Sequence, residues 1–173
     1  MTQYNFCPQC SNGLTPVTDN GQQFPGCLNC NFIHYNNPIP VAAAIVPVEN
    51  KIVLVQRAAD PKKGGWCLPC GFINAYEDPK EAAIREVQEE SGLICKLEKI
   101  LYTGTPLPRT RNQMITLFLA RPVDGILRAG DDALDAKLFA KSELPPICFS
   151  SHDYTVKKWF AGDYGILTGV DLE

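Results

Sequence analysis

The run from Gly71 to Leu93, GFINAYEDPKEAAIREVQEESGL, constrains this chain more than any other, because it specifies a helix at both ends and loads one face with like charge. Asp78 offers a side-chain acceptor, Pro79 stands where no amide donor is needed, and Glu81 is placed to return the hydrogen bond, so a helix starts here. Gly92 supplies the stop. Glu86, Glu89 and Glu90 fall at offsets of zero, three and four, which puts three carboxylates on one face within about 6 Å of rise. Like charges so close destabilise a lone helix; the cluster makes sense with a cation against it. Ala82 and Ala83 are expected to leave space on that side, while Ile84 and Val87 turn toward a core. Oxygen-only donors favour a hard divalent ion, Mg2+ or Mn2+, which keeps waters and bridges to phosphate oxygens. Arg85, four residues before Glu89, is placed to orient that carboxylate.

Eight cysteines in 173 residues demand a separate account. The start, MTQYNFCPQC, has neither a basic stretch nor an apolar core of the export type, and the longest apolar run, near Val41 to Val48, is too short to span a bilayer. The expected location is the cytoplasm, where metal ligation or free thiols replace disulfides. Cys7 and Cys10 form one C-x-x-C and Cys27 and Cys30 another, the spacing of a zinc ribbon with a closed, structural four-thiolate site. Four sulfurs saturate Zn2+, so His34 is expected to be a half-buried strand histidine. Residues 1–40 contain no lysine or arginine and one acid, Asp19, which argues against nucleic acid as a partner. Phe24, Phe32 and Tyr35 could stack on bases, but are expected instead to pack the ribbon onto the main domain or onto a second subunit.

Cys67 and Cys70 make a third C-x-x-C, but in GGWCLPCGFI the pair lies in an apolar strand whose alternation would aim the two side chains apart. It is read as carrying no function, and Cys95 and Cys148 as small buried hydrophobes. Val41 to Val48 and Lys51 to Arg57 predict a hairpin across Glu49-Asn50. Further strands are expected at Trp66 to Ile73, Leu97 to Thr105, Met114 to Val123 and Ala136 to Phe139. A last helix, begun by Ser150 or Ser151 with Asp153 and ended by Gly162, would lay Val156, Trp159 and Phe160 on the sheet. Pro38-Ile39-Pro40 marks the boundary between residues 1–38 and 39–173.

The skeleton G, five residues, E, seven residues, R-E-U-x-E-E-x-G-U, with U aliphatic, is satisfied at every position, and it resembles the Nudix hydrolase signature. From about Pro40 onward, W-x-L-P at Trp66 to Pro69 and KLFAKSELP at Lys137 to Pro145 are also similar to that family. The resemblance implies an α/β fold, a Nudix-type α/β/α sandwich on a mixed sheet with the small N-terminal zinc ribbon. TGTPLPRTR at Thr103 to Arg111 stands where NADH pyrophosphatases carry SQPWPFP, and FSS at Phe149 to Ser151 resembles the FAD and ADP-ribose pyrophosphatases, as does Pro108 the ADP-ribose hydrolases.

The resemblance implies that Glu86, Glu89 and Glu90, with the Cys70 carbonyl, hold catalytic Mg2+ or Mn2+, that Glu77 supports the loop, and that a box glutamate is the general base. The other candidates for the base are Asp131, Asp132 and Asp135 on a later loop. Arg57, Arg109 and Arg111, with Lys62 and Lys63, are candidates to clamp substrate phosphate. The implied reaction is hydrolysis of a dinucleotide or nucleotide-sugar pyrophosphate of the FAD, ADP-ribose or NADH type to AMP and a monophosphate. Homodimers are common in the family. Two other readings are a nucleotide-binding regulator without turnover and a nucleoside triphosphate pyrophosphatase. The net charge of −3 makes divalent ions necessary for holding a polyanion.

Overall fold

Asn20 and Gly21 both take positive φ, 49° and 79°, and close the two-residue turn of a hairpin between β1 (Thr15–Asp19) and β2 (Gln22–Gly26). The computed structural model describes residues 4–106, 112–130, 132–163, 165 and 167–168, and divides into two units, Met1–Pro38 and Ile39–Glu173. In the first unit Ser11 and Asn31 sit at φ 60°, each four residues past the first cysteine of a C-x-x-C pair. Their N–H groups donate to the Cys7 and Cys27 carbonyls at 2.9 Å, so two turns of the same build carry the two pairs. His34 is half-buried outside any strand, its ring edge-on to Tyr4, and Phe24 packs edge-on against Tyr35.

The second unit is organised by β3 (Ile39–Ile45), whose residues from Val41 onward are buried on both faces. β4 (Pro47–Val48) and β5 (Lys51–Arg57) follow, then β6 (Trp66–Cys67), β7 (Cys70–Phe72) and α1 (Pro79–Ser91). β8 (Leu93–Gly104), β9 (Gln113–Gly125), β10 (Ala133–Ala140), α2 (Ser150–Phe160) and β11 (Leu167–Thr168) complete it. A five-stranded mixed sheet runs β11-β8-β9-β3-β7, with β3 parallel to β9 and antiparallel to β7. A second sheet runs β10-β5-β4, with β6 also paired to β5. Alternation along β3 explains the layers. Ala42 packs with Ala82, Ala83 and Phe118 on the α1 side, whereas Val41, Ala43 and Ile45 join Leu101, Leu117 and Val156 of α2 on the other. The result is the α/β/α arrangement on a mixed sheet.

Four local expectations are corrected. The run Val41–Val48 is divided: β3 belongs to the five-stranded sheet and only β4 pairs with β5 across Glu49-Asn50. Trp66–Ile73 is likewise broken at Leu68–Pro69, since proline has no N–H to continue a ladder, and its halves join different sheets. Ala82 and Ala83 leave no vacancy, because their small side chains let α1 settle directly onto β3 and β9. Phe149, not a serine, is the residue before α2; Ser151 lies inside and is buried, its carbonyl accepting from Thr155 Oγ1 at 2.8 Å.

The predicted capping box is present: Lys80 N–H donates to Asp78 Oδ1 at 2.8 Å, and Asp78 N–H to Glu81 Oε2 at 3.2 Å. Replacing Asp78 with alanine should cost about 1 kcal/mol. Urea denaturation with an unchanged m-value would show it, and a loss under about 0.3 kcal/mol would mean that the box does not hold the helix start.

Candidate active site and thiol clusters

α1 is fixed at its far end as firmly as at its start. Gly92 takes φ 72°, Arg128 N–H donates to the Ser91 carbonyl at 3.0 Å, and Gly130 N–H donates to the Glu90 carbonyl at 3.2 Å. Gly130 passes so close that a Cβ there would lie 1.6 Å from the Glu89 carbonyl oxygen. The helix is therefore held at both termini, and its acidic face is set against β7.

Each of the predicted carboxylates has a distinct surrounding. Glu90 is buried, and Cys70 N–H donates to its Oε2 at 2.9 Å. Glu86 is buried against Gly71, where a Cβ would lie 2.2 Å from Glu86 Oε1. Only glycine lets that carboxylate approach the strand. Glu89 is more exposed and turned toward Arg85. The three carboxylates do not close into one tight ligand group as they stand; among the described residues such groups are formed by thiols, in one case with His152.

Arg85 gathers more than was expected of it. Its Nε and one terminal nitrogen grip Glu77 at 2.7 and 2.9 Å, the other terminal nitrogen reaches Glu86 at 2.6 Å and Glu89 at 2.9 Å, and the Phe72 carbonyl accepts at 3.0 Å. Glu89 receives a single bond, as the four-residue spacing suggested, but the two-pronged partner is Glu77, eight residues back in the loop. Arg85 holds the Glu77 carboxyl down to about 2, and Asn74 N–H adds to the effect. Burial pushes Glu90 up to about 8, opposed by Cys70 N–H and reinforced by the Glu86 charge. Burial also raises Glu86, against the pull of Arg85. Asp132 is exposed, and its charge raises both buried acids further. Asp135 is tied to Lys137 and to Ala136 N–H.

A cavity of about 480 Å³ opens beside Cys70 and Gly71. Arg57 lines it, with Nε donating to the Pro61 carbonyl at 2.8 Å and its guanidinium 5.2 Å from the Phe149 ring centre. Lys62 lines it as well, whereas Lys63 is exposed elsewhere. Arg109 and Arg111, with Pro108 and Asp131, lie outside the described residues. Phe149, Ser151 and His152, some eighty residues from Cys70, line the same cavity; FSS carries only a family resemblance, and nothing local in the sequence places these residues beside Cys70.

The cysteines form two groups. Cys7 and Cys30, Cys10 and Cys27, and Cys10 and Cys30 have sulfurs 3.5, 3.4 and 3.5 Å apart, too far for a disulfide and near the spacing of about 3.8 Å implied by four Zn–S bonds. This geometry is compatible with zinc. Asn12 hydrogen bonds lower the Cys10 thiol to about 6. Cys67 and Cys70 are not aimed apart: the break at Leu68–Pro69 brings both sulfurs together with His152. Cys95 is buried among aliphatic side chains, as expected, but Cys148 is half-buried, and Cys67 beside it raises its thiol above the ordinary value.

Comparison with known proteins agrees with this layout. Residues 38–160 match the model of the NUDIX domain. An ADP-ribose pyrophosphatase of Methanocaldococcus jannaschii is 35% identical over 127 residues, 72% of this chain and 75% of its own. An NAD-capped RNA hydrolase, NudC, of Vibrio parahaemolyticus is 34% identical over 149 residues, 85% of this chain and 55% of its own, so the chain spans about half the length of that relative. Among solved structures, a NUDIX hydrolase from Nitrosomonas europaea superposes with a TM-score of 0.86 at 29% identity, over 95% of this chain and 98% of that one.

The raised Glu90 carboxyl makes a signed prediction for the metal-free protein. Between its ordinary value of about 4.3 and about 8, the folded state holds a proton that the unfolded state has released, so stability should fall as pH rises through that window and level off above it. Chelator-treated protein melted at pH 5, 6.5 and 8 should show this slope, and Glu90→Gln should flatten it. An unchanged slope in the variant would place the titration elsewhere.

Proposed function

The chain belongs to the NUDIX domain family, and on that premise we propose that it is a divalent-cation-dependent hydrolase of nucleoside diphosphates linked to a second group, of the ADP-ribose or nicotinamide dinucleotide type, releasing AMP and a second monophosphate. The observation that carries this reading is the burial of Glu86 and Glu90 against Gly71 and Cys70, the two residues that also line the cavity. Two buried acids with raised pKa and all-oxygen chemistry, beside the Cys70 carbonyl and the more exposed Glu89, fit Mg2+ or Mn2+. When bound, such an ion neutralises a diphosphate and lowers the pKa of an attacking water.

The chain's own residues supply the rest. Arg85 holds Glu86 and Glu89 on one side and joins them to the Glu77 loop, so a short side-chain adjustment around the guanidinium would bring the acids onto a cation. Arg57, steadied by the Pro61 carbonyl and the Phe149 ring, puts a fixed positive charge on the cavity wall for a phosphate oxygen. α2 begins at that wall after Phe149, which directs the positive end of the helix toward the same anion. Phe72, Ile115 and Phe149 provide apolar surface for a base. A box glutamate, Glu86 or Glu90, serves as general base; Asp132 is the acid outside the helix whose charge acts on both. In the first unit, Cys7, Cys10, Cys27 and Cys30 hold structural Zn2+, residues 1–38 forming the ribbon and 39–173 the catalytic domain.

A panel of ADP-ribose, NADH, FAD, an NAD-capped oligonucleotide and nucleoside triphosphates, incubated with Mg2+ or Mn2+ and analysed for products, tests the assignment. The expected result is AMP from ADP-ribose or NADH; no hydrolysis of any member would favour a nucleotide-binding regulator. Glu90→Gln should reduce kcat/KM roughly 10²-fold or more while circular dichroism stays unchanged. Activity near wild type would remove Glu90 from the site. Cys10→Ser should lose one equivalent of zinc by elemental analysis, and unchanged zinc would refute the ribbon assignment.

A further inference from the structure

A second set of metal-type donors stands at the cavity wall, and the carboxylate chemistry makes no use of it. Cys67 ends β6 and Cys70 opens β7; the turn between them sets both sulfurs and one nitrogen of His152 within 4.8 Å of one another. The spacing in Cys67-Leu-Pro-Cys70 repeats that of both pairs in the first unit. His152 is 1% exposed, and Leu68 N–H donates to its Nδ1 at 3.3 Å. That bond makes Nδ1 the unprotonated nitrogen, with its one lone pair facing the Cys67–Cys70 turn; at 3.3 Å it is a long bond, and a cation on Nδ1 would displace the Leu68 N–H. Burial and the neighbouring Arg57 hold the imidazole neutral, which is its ligating form.

Cys148 lines the cavity with Cys70 and His152, and the neighbouring Cys67 raises its thiol above the ordinary value. Gly65 gives it room, since a Cβ there would lie 2.9 Å from Cys148 Cβ. Buried cysteines that act as small hydrophobes look like Cys95, which has only aliphatic neighbours. Two thiols and an imidazole converging from two strands and a helix, with a third cysteine on the same cavity wall, are a different arrangement. Two thiolates cancel the charge of a divalent ion, so the loaded site carries no net charge into a buried place. Soft donors of this kind select Zn2+ over Mg2+.

We propose that Cys67, Cys70 and His152 form a binding site for a thiophilic divalent cation of the Zn2+ class at the wall of the cavity, with Cys148 beside the remaining coordination position. Loading the site releases the two thiol protons to solvent and involves no change of oxidation state. Its sulfur and imidazole donors are distinct from the glutamate oxygens of α1, which it adjoins through the Cys70 N–H to Glu90, and from the four cysteines of the first unit.

The test titrates the full chain with Co2+ under a phosphine reductant, with excess Mg2+ to occupy carboxylates. Cys70→Ser should bind one Co2+ fewer than wild type and lose part of the thiolate-to-cobalt charge-transfer absorption. Equal stoichiometry and equal absorption in the two proteins would overturn the proposal. The readout is a difference, so it stands whether or not the first unit loads. Should Cys70→Ser fail to fold, zinc-edge X-ray absorption of the wild-type protein loaded with Zn2+ decides: imidazole scattering supports the site, and an all-sulfur spectrum refutes it.

Discussion

One guanidinium holds the candidate catalytic region together. Arg85 is anchored on the helix, yet its partners lie in the preceding loop, on the same helix and on the backbone of β7, so a single side chain fixes three elements that the chain would otherwise leave to separate packing. Buried and half-buried carboxylates repel; without a shared cation the cluster would have to protonate or spread. Arg85 removes part of that repulsion for Glu77, Glu86 and Glu89, while Glu90, deepest of the four, is left with an amide and a raised pKa. Glu90 therefore keeps its proton to about pH 8 when no cation is bound, and the acid left to take up a metal stands where β7 meets the cavity.

The close approach of helix and strand follows from small residues as much as from charge. Ala42, Ala82 and Ala83 bring α1 down onto β3, and Gly71 allows the Glu86 carboxylate to touch the strand. These are conditions of distance: a larger side chain at any of them would lift the acids away from the residues that line the cavity. The same glycine appears in the sequence as a mere opening position, and only the coordinates show that it is a contact.

The helix, its caps and the acid spacing were legible because they depend on residues within a few positions of one another, and so were the paired cysteines of the first unit. What could not be read depends on distant partners. The grip of Arg85 on Glu77 requires the loop to fold back over eight residues, and the wall formed by Phe149, Ser151 and His152 comes from the far end of the chain. The reading of Cys67 and Cys70 failed for a specific reason. Alternation holds along a continuous strand, and Pro69 ends that continuity, so two side chains assigned to opposite faces came together. Arg109 and Arg111 fall outside the described residues, which leaves Arg57 as the candidate clamp with a defined setting.

The chain passes from one sheet to the other twice across connections of one or two residues, at Val46 and at the bend Leu68–Pro69. Each passage stitches one layer of backbone pairing to the other, so neither layer can slide without breaking ladders on both sides of the seam. Shear between the sheets is therefore closed off as a mode of adaptation. A visiting molecule must be accommodated by loop and side-chain movement around a frame whose span is already set.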